Sequence, residues 1–170
     1  MTQVAPVPAP VQSADPSALA ATRLAAEVFM ALHLARPAIR LASASLNAGA
    51  RYDSRVLPQA ARMNRALLEE EALLLLAPLA ASELAGAGRP GAGELEVAER
   101  WIAQAVNTDE AEEAAAYAHV LYARARGLLR AQWVSVSVLA LGLQGGGTLS
   151  AAELRVRLAC VQGIRATLMN

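Results

Sequence analysis

The residues that most often carry enzyme chemistry are sparse in this sequence and poorly spaced for it. His33 and His119 are the only histidines, and neither has a carboxylate three or four residues away, where a helix would place it beside the imidazole. A carboxylate-rich di-iron bundle needs two Glu-x-x-His pairs, and the sequence has none. We therefore expect no metal ion and no other cofactor, and we expect both histidines to be ordinary residues of helix faces.

Two further features could suggest catalysis, and neither has the neighbours that catalysis needs. Cys160 is the single cysteine, which excludes an intrachain disulfide. It falls between Ala159 and Val161, where a thiol behaves as a small apolar side chain. The Gly145–Gly147 run precedes a threonine, but the lysine and the preceding strand of a phosphate-binding loop are missing. The sequence therefore predicts a protein that is not an enzyme.

The balance of charges removes the general argument for a nucleic-acid partner. The 170 residues carry 15 acidic and 15 basic side chains, and every basic one is arginine. Six arginines of the C-terminal third could form a phosphate-binding surface: Arg124, Arg126, Arg130, Arg155, Arg157 and Arg165. Interleaved aromatic residues and a helix-turn-helix pattern are missing, so we expect no nucleic acid.

Charge is nonetheless unevenly distributed along the chain. Residues 69–113 hold eleven acids and two arginines, whereas the segments on either side, 1–68 and 114–170, are net positive. Acidic and basic segments could complement each other inside one fold, and this is the interpretation that we favour. Opposite patches could instead meet on different copies of the chain, which would favour self-association.

The composition indicates one helical domain. Hydrophobic residues make up 55% of the chain but aromatic residues only 4%, so the apolar excess comes from small side chains, chiefly alanine. Such side chains favour closely packed helices. A chain of 170 residues fits one domain with a real core. We predict a single all-α domain over residues 15–170, built as a bundle of four to five helices.

The most regular pattern lies between Thr108 and Leu143, and we predict one long central helix there. Nine apolar residues follow one another at steps of three or four, which is the spacing of one helix face. They are Ala115, Ala118, Tyr122, Ala125, Leu129, Trp133, Val136, Ala140 and Leu143. Asn107 or Thr108 can cap the start of this helix, and Gly145–Gly147 can end it.

Two other structures compete for the second half of that segment. Residues 131–152 have no charge, which suggests a membrane span, but the strongly apolar part, Trp133–Leu143, has only about half of the roughly 20 residues that a span needs. Val134–Val138 alternates apolar and polar side chains as a strand does, yet no second strand candidate stands out to pair with it. We therefore expect a helix and no membrane span.

Prolines and caps divide the rest of the chain. Asp15 followed by Pro16 is typical of a helix start. We predict a first helix that runs toward Asn47 with a kink or a break near Pro37, because a proline inside a helix removes one backbone hydrogen bond. A later helix should bend near Pro78 for the same reason.

Three local patterns complete the prediction. The triple acid Glu69 to Glu71 is expected on a solvated helix face, with Glu71 close enough to the Leu67 and Leu74 stripe to be partly covered, and Gly86–Gly93 is the clearest loop. Ser150 and Glu153 have the spacing of a capping box, which predicts the start of the last helix.

The N-terminal segment differs from the domain that follows it. Residues 1–14 contain Pro6, Pro8 and Pro10 among alanine and valine, which favours an extended arm, with a disordered tail as the alternative. The segment lacks the basic and apolar regions of a secretory signal. We expect the protein in the cytoplasm, or in a particle assembled there.

These observations favour a non-enzymatic role. Our first hypothesis is a structural or protein-interaction component of a larger assembly, which docks on a protein partner or on itself through alanine-rich helix faces and the arm. The alternative is a small ligand-binding or regulatory helical domain. Its pocket, which would take a small molecule, would lie between helices near Trp101 and Trp133, the two tryptophans of the chain.

Overall fold

The computed structural model describes residues 15–34 and 37–168, apart from the side chains of residue 92 and residues 162–168. These residues form α1 (Pro16–Leu34), β1 (Arg40–Ser45), β2 (Gly49–Ser54), α2 (Pro58–Met63), α3 (Arg65–Leu84), α4 (Ala92–Ala105), a 3-10 helix (Thr108–Glu113), α5 (Ala114–Ala131), α6 (Trp133–Gln144), β3 (Leu149–Ser150) and α7 (Ala151–Leu168). The fold is 73% helix with a small three-stranded sheet. The broad all-α prediction is confirmed, but the described chain has seven α-helices rather than four to five.

The predicted arm cannot be compared with the structure. Residues 1–14, including Pro6, Pro8 and Pro10, lie outside the described residues. Their docking role stays a prediction.

The first helix begins as predicted and ends earlier than predicted. The Asp15 side chain accepts a hydrogen bond from the backbone N–H of Ser17, at 3.0 Å, so it caps α1. The helix ends at Leu34, and Pro37 lies in a turn, so the predicted continuation to Asn47 is wrong and no kink is confirmed there. Proline disfavours helical geometry in the residue before it, which suits the change from helix to strand.

The sheet was missed by the sequence analysis. β1 is its central strand and pairs antiparallel with both β2 and β3. Leu41 and Ala44 of β1 are buried, and Gly49 at the start of β2 has a φ of 72°, which a residue with a Cβ rarely adopts. The sheet therefore covers one side of the helical core.

The predicted long central helix is wrong as a single element. Thr108–Glu113 forms a 3-10 helix, and Gln132, with φ −116° and ψ 24°, separates α5 from α6. Seven of the nine residues of the predicted face are buried, but Trp133 is half-buried and Ala115 is exposed, so the face is confirmed in part although the helix is interrupted. The alternative strand at Val134–Val138 is also wrong, because this segment lies in α6.

The central position belongs to α3, which packs against α1, α2, α4 and α5. Its alanines Ala72, Ala77 and Ala80 have no exposed surface, so this alanine-rich face is used inside the core. Pro78 is an interior residue of α3, and the predicted bend there is not confirmed. α3 ends at Leu84, and Gly86, with a φ of 88°, opens the loop to α4. The loop predicted over Gly86–Gly93 is therefore confirmed only in part, because α4 begins at Ala92.

α1 is the other core helix, and it packs against α3 and α6. Among the described helices it alone has the length and composition that would allow a membrane crossing. A core helix passes the same test, and Val28, Met30 and six further residues of α1 are buried.

The last helix begins as predicted. The backbone N–H and the hydroxyl of Ser150 each donate to a carboxylate oxygen of Glu153 at 2.7 Å, and the Glu153 N–H donates back to the Ser150 hydroxyl at 3.3 Å. These hydrogen bonds lower the pKa of Glu153. The capping box is therefore confirmed.

Candidate functional site

The candidate site is a cleft of about 410 Å³ with an apolar floor, the largest in volume of the five cavities described. α3 contributes its first residue, α4 and the following turn contribute Ile102 and Val106, and the start of α5 contributes Ala114, Tyr117 and Val120. Ile102, Val106 and Ala114 are buried, but Val120 is 62% exposed. The cleft thus holds an apolar side chain that the fold leaves in contact with water.

The rim of the cleft is acidic. The 3-10 helix contributes Asp109, Glu110 and Glu113, all exposed. It begins beside the cleft because Asn107 donates its backbone N–H to a Glu110 carboxylate oxygen at 3.4 Å, as in a capping box. Arg65 is the one basic residue that lines the cleft, and its Nη1 lies 3.5 Å from Glu110 Oε1. The rim therefore presents more negative than positive charge.

A hydrogen-bonded network fixes the wall of the cleft formed by Tyr117. Its hydroxyl donates to Glu69 at 2.7 Å, and Arg124 donates to the second oxygen of Glu69 at 2.6 Å. The Arg65 guanidinium lies 4.5 Å from the centre of the Tyr117 ring. The hydrogen bond from Tyr117, followed by Arg124, lowers the pKa of Glu69, while burial and then Glu69 raise the pKa of Tyr117.

The same arrangement joins α3 to α5 a second time. Tyr122 donates its hydroxyl to Glu83 at 2.5 Å, and Arg126 donates to the other carboxylate oxygen at 2.6 Å. The pKa of Glu83 is lowered, first by the hydrogen bond from Tyr122, and burial raises the pKa of Tyr122. The two networks hold α5, and with it Val120, in a fixed position on α3.

The triple acid of α3 is not the solvated face that was predicted. Glu70 and Glu71 are buried, at 8% and 2% exposure. Glu71 accepts hydrogen bonds from the Arg55 guanidinium and from the backbone N–H of Val56, the latter at 3.4 Å. Glu71 therefore ties the segment after β2 to the centre of the fold.

The two tryptophans proposed as interaction residues do not share any of the five cavities described in the structure. Trp101 lines a shallow groove of about 230 Å³ with Leu75 and Val97. Trp133 lines none of the five and packs half-buried against the core at the start of α6. Their part in binding stays a prediction.

The two histidines and the cysteine do not line the cleft. The His33 ring stacks on Phe29 with 5.3 Å between ring centres, His119 is exposed on α5, and Cys160 is exposed on α7. Among the side chains that the structure describes, no group of three or more His, Cys, Asp or Glu residues is placed to hold a metal ion.

The residues of the cleft were not selected by the sequence analysis. Val120 alone has a signal in the sequence, because it is an apolar residue off the predicted apolar face and only seven residues after an acidic run. No protein-family model matches the chain, and a search of curated proteins finds no significant match.

Proposed function

We propose that this chain is a non-enzymatic protein-interaction component of a larger assembly, in which the cleft between α4 and α5 is the docking site. The observation that carries the proposal is Val120, which lines the cleft and is 62% exposed. Covering an exposed apolar side chain that adjoins a buried floor removes it from water, which favours binding. The assembly would form in the cytoplasm.

The cleft favours a partner with a particular chemistry. Its floor accepts one or two apolar side chains, and Asp109 and Glu113 on the rim favour a basic residue beside them. A helix that carries apolar and basic residues on one face has both features. Arg65 partly neutralises the charge of Glu110, so a basic residue of the partner should be attracted most strongly to Asp109 and Glu113.

A second candidate function follows from the volume of the cleft. About 410 Å³ lies within the roughly 300–1,000 Å³ of small-molecule sites. The acidic rim would select a small ligand with a cationic group on an apolar body. This is the ligand-binding alternative, with a different lining from the tryptophans that the sequence suggested.

The test of the proposed function is Val120→Asp, which places a charge in the lining of the cleft. Val134→Asp is the matched control, because Val134 is also exposed, at 51%, and lies on α6 away from the cleft. In extracts of the native host, we expect the unaltered chain and the control to sediment as part of a larger complex and Val120→Asp to sediment at the mass of the free chain. Equal sedimentation of all three would refute the proposal.

The ligand-binding alternative has its own measurement. If it holds, hydrophobic amines should raise the melting temperature of the purified unaltered chain and leave that of Val120→Asp unchanged.

A further inference from the structure

We propose that the occupant of the cleft is a second copy of this chain, which inserts the exposed face of its α7. This inference rests on the proposed function, since it requires the cleft to be a docking site. It adds the identity of the partner and predicts how copies of the chain are joined.

The exposed face of α7 has the spacing of a helix that docks in a groove. Ala152, Arg155, Val156 and Ala159 follow one another at i, i+3, i+4 and i+7, and all four are exposed. Val156 is 63% exposed although it is apolar. We call these four residues the α7 stripe. The stripe is convex and mostly apolar, whereas the cleft is concave with an apolar floor.

The charges of the two surfaces are complementary. Arg155 is the basic residue of the α7 stripe, and it forms no ion pair with the described side chains. The cleft presents Asp109 and Glu113 beside its floor, and these acids also lack an ion pair there. Glu153, the acid of α7, is held by Ser150. An apolar contact flanked by opposite charges can therefore form.

The two surfaces belong to different sides of the fold. α7 packs against α6, β1 and β3, and none of these elements lines the cleft. The stripe of one copy must therefore enter the cleft of another copy. Such a contact joins two different surfaces, so a bound pair still offers one free cleft and one free stripe, and association continues until a ring closes.

This arrangement predicts the outcome of mixing two inactive variants. Val120→Asp damages the cleft and keeps the stripe, whereas Val156→Asp damages the stripe and keeps the cleft. By sedimentation velocity, we expect the unaltered chain to associate increasingly with concentration, and each variant to stay monomeric. An equimolar mixture of the two should form a dimer and nothing larger, because one intact cleft can receive one intact stripe.

Two controls accompany the mixing experiment. Val134→Asp should associate as the unaltered chain does, and circular dichroism should give the same helix content for all the chains. The inference is overturned if the unaltered chain is monomeric at every concentration, if either variant still associates, or if the mixture stays monomeric.

Charge reversal tests the pairing of the rim with the stripe. Arg155→Glu alone and Glu113→Arg alone should each raise the Kd of self-association by about fivefold, the effect of losing an exposed ion pair. Both changes in one chain should recover part of the loss. If the double variant is weaker than either single variant, Arg155 does not face this rim.

The inference and the proposed function can fail separately. If the purified chain never associates but Val120→Asp still changes its complex in host extract, the cleft binds another protein and only the inference falls. If Val120→Asp changes neither measurement, both fall.

Discussion

Each of the three tyrosines of the chain donates its hydroxyl to a glutamate that is distant in sequence. Tyr52 bonds to Glu27 at 2.8 Å across 25 residues, and the Tyr117 and Tyr122 partners lie 48 and 39 residues away. A neutral hydroxyl can satisfy an ionised carboxylate without adding a charge to a partly buried site, and such hydrogen bonds are stronger than those between neutral groups. Tyrosine is therefore used here as a connector between elements.

Tyr122→Phe should destabilise the fold more than Tyr117→Phe. Tyr122 is only 2% exposed, so water cannot replace the charge-assisted hydrogen bond that Glu83 loses with the hydroxyl. We expect the free energy of unfolding to fall by about 2 kcal/mol. Tyr117 is half-buried, and water can replace its hydroxyl, so we expect about 1 kcal/mol. Urea unfolding measures both values. Equal costs would mean that burial does not set the strength of these bonds.

The same bonds predict how stability depends on pH. The folded pKa values of Glu69 and Glu83 lie below the ordinary 4.5, so their contribution is complete above that pH and is lost as the pH falls towards the lowered values. The folded pKa values of Tyr117 and Tyr122 lie above the ordinary 10.0, so their contribution is complete below pH 10.0 and is lost as the pH rises through the raised values.

Urea midpoints across the pH range check this prediction. The control is the double variant Tyr117→Phe with Tyr122→Phe, which should lose less stability than the unaltered chain at both extremes. Parallel pH profiles for the two proteins would contradict it.

At the scale of elements, the helices were predictable and the hairpin was not. Positions 40, 43 and 47 have the spacing of the polar side of a helix, and the alanines and serines of β1 have weak strand preference. The pattern therefore predicted a helix where the structure has a strand. In the structure, Ser43 pairs with both Arg51 and Ser150, partners that no local pattern reveals. In β2, Ala50 and Tyr52 are more covered than Arg51, and the matching alternation in the sequence was the one signal of a strand.

The interruption at Gln132 has a similar explanation. The backbone N–H of Gln132 still bonds to the Leu128 carbonyl at 3.1 Å, and the Val136 N–H bonds to the Gln132 carbonyl at 3.2 Å, so helical hydrogen bonds span the break. The three-to-four spacing of buried residues therefore passes through the break unchanged. Spacing alone cannot distinguish a continuous helix from two helices joined in this way.

Two helical glycines should respond differently to alanine. Gly127 is exposed on α5, and a Cβ there would meet nothing within 4 Å, so Gly127→Ala should stabilise the fold by about 0.5–1 kcal/mol. In α6, a Cβ on Gly142 would lie 2.9 Å from Arg157 Nε, so the Arg157 side chain must shift and Gly142→Ala should gain nothing. Thermal melting of the two variants decides this. An equal gain would mean that Arg157 moves away without cost.

At the scale of the whole molecule, the sequence revealed the charges but not the cleft. The acidic run at 109–113 was visible, whereas the floor combines residues from α4 and α5 whose exposure depends on how these helices pack. Alanine-rich faces were expected to dock partners, yet those of α1 and α3 are largely consumed in the core. Which apolar residue remains exposed is decided only after packing.

Cys160 allows a test of self-association that needs no substitution. It is the single cysteine, it is exposed, and it follows Ala159 on the face of the α7 stripe. We expect a bulky maleimide on Cys160 to keep the chain monomeric by blocking entry into the cleft. Sedimentation before and after labelling measures the effect, with maleimide-treated Cys160→Ser as the control for nonspecific modification. Unchanged association after complete labelling would place the contact elsewhere.

The exposed loop between α3 and α4 affects how the protein can be cut. Residues 86–89 are all exposed, and such loops are preferred sites of proteolysis. Trypsin cleaves after arginine but poorly before proline, and the one arginine of this loop, Arg89, precedes Pro90. Trypsin should therefore not cut this loop, although the loop is exposed. Elastase, which accepts small residues, should cut near Gly86 or Gly88 and divide the folded chain into two fragments of similar length.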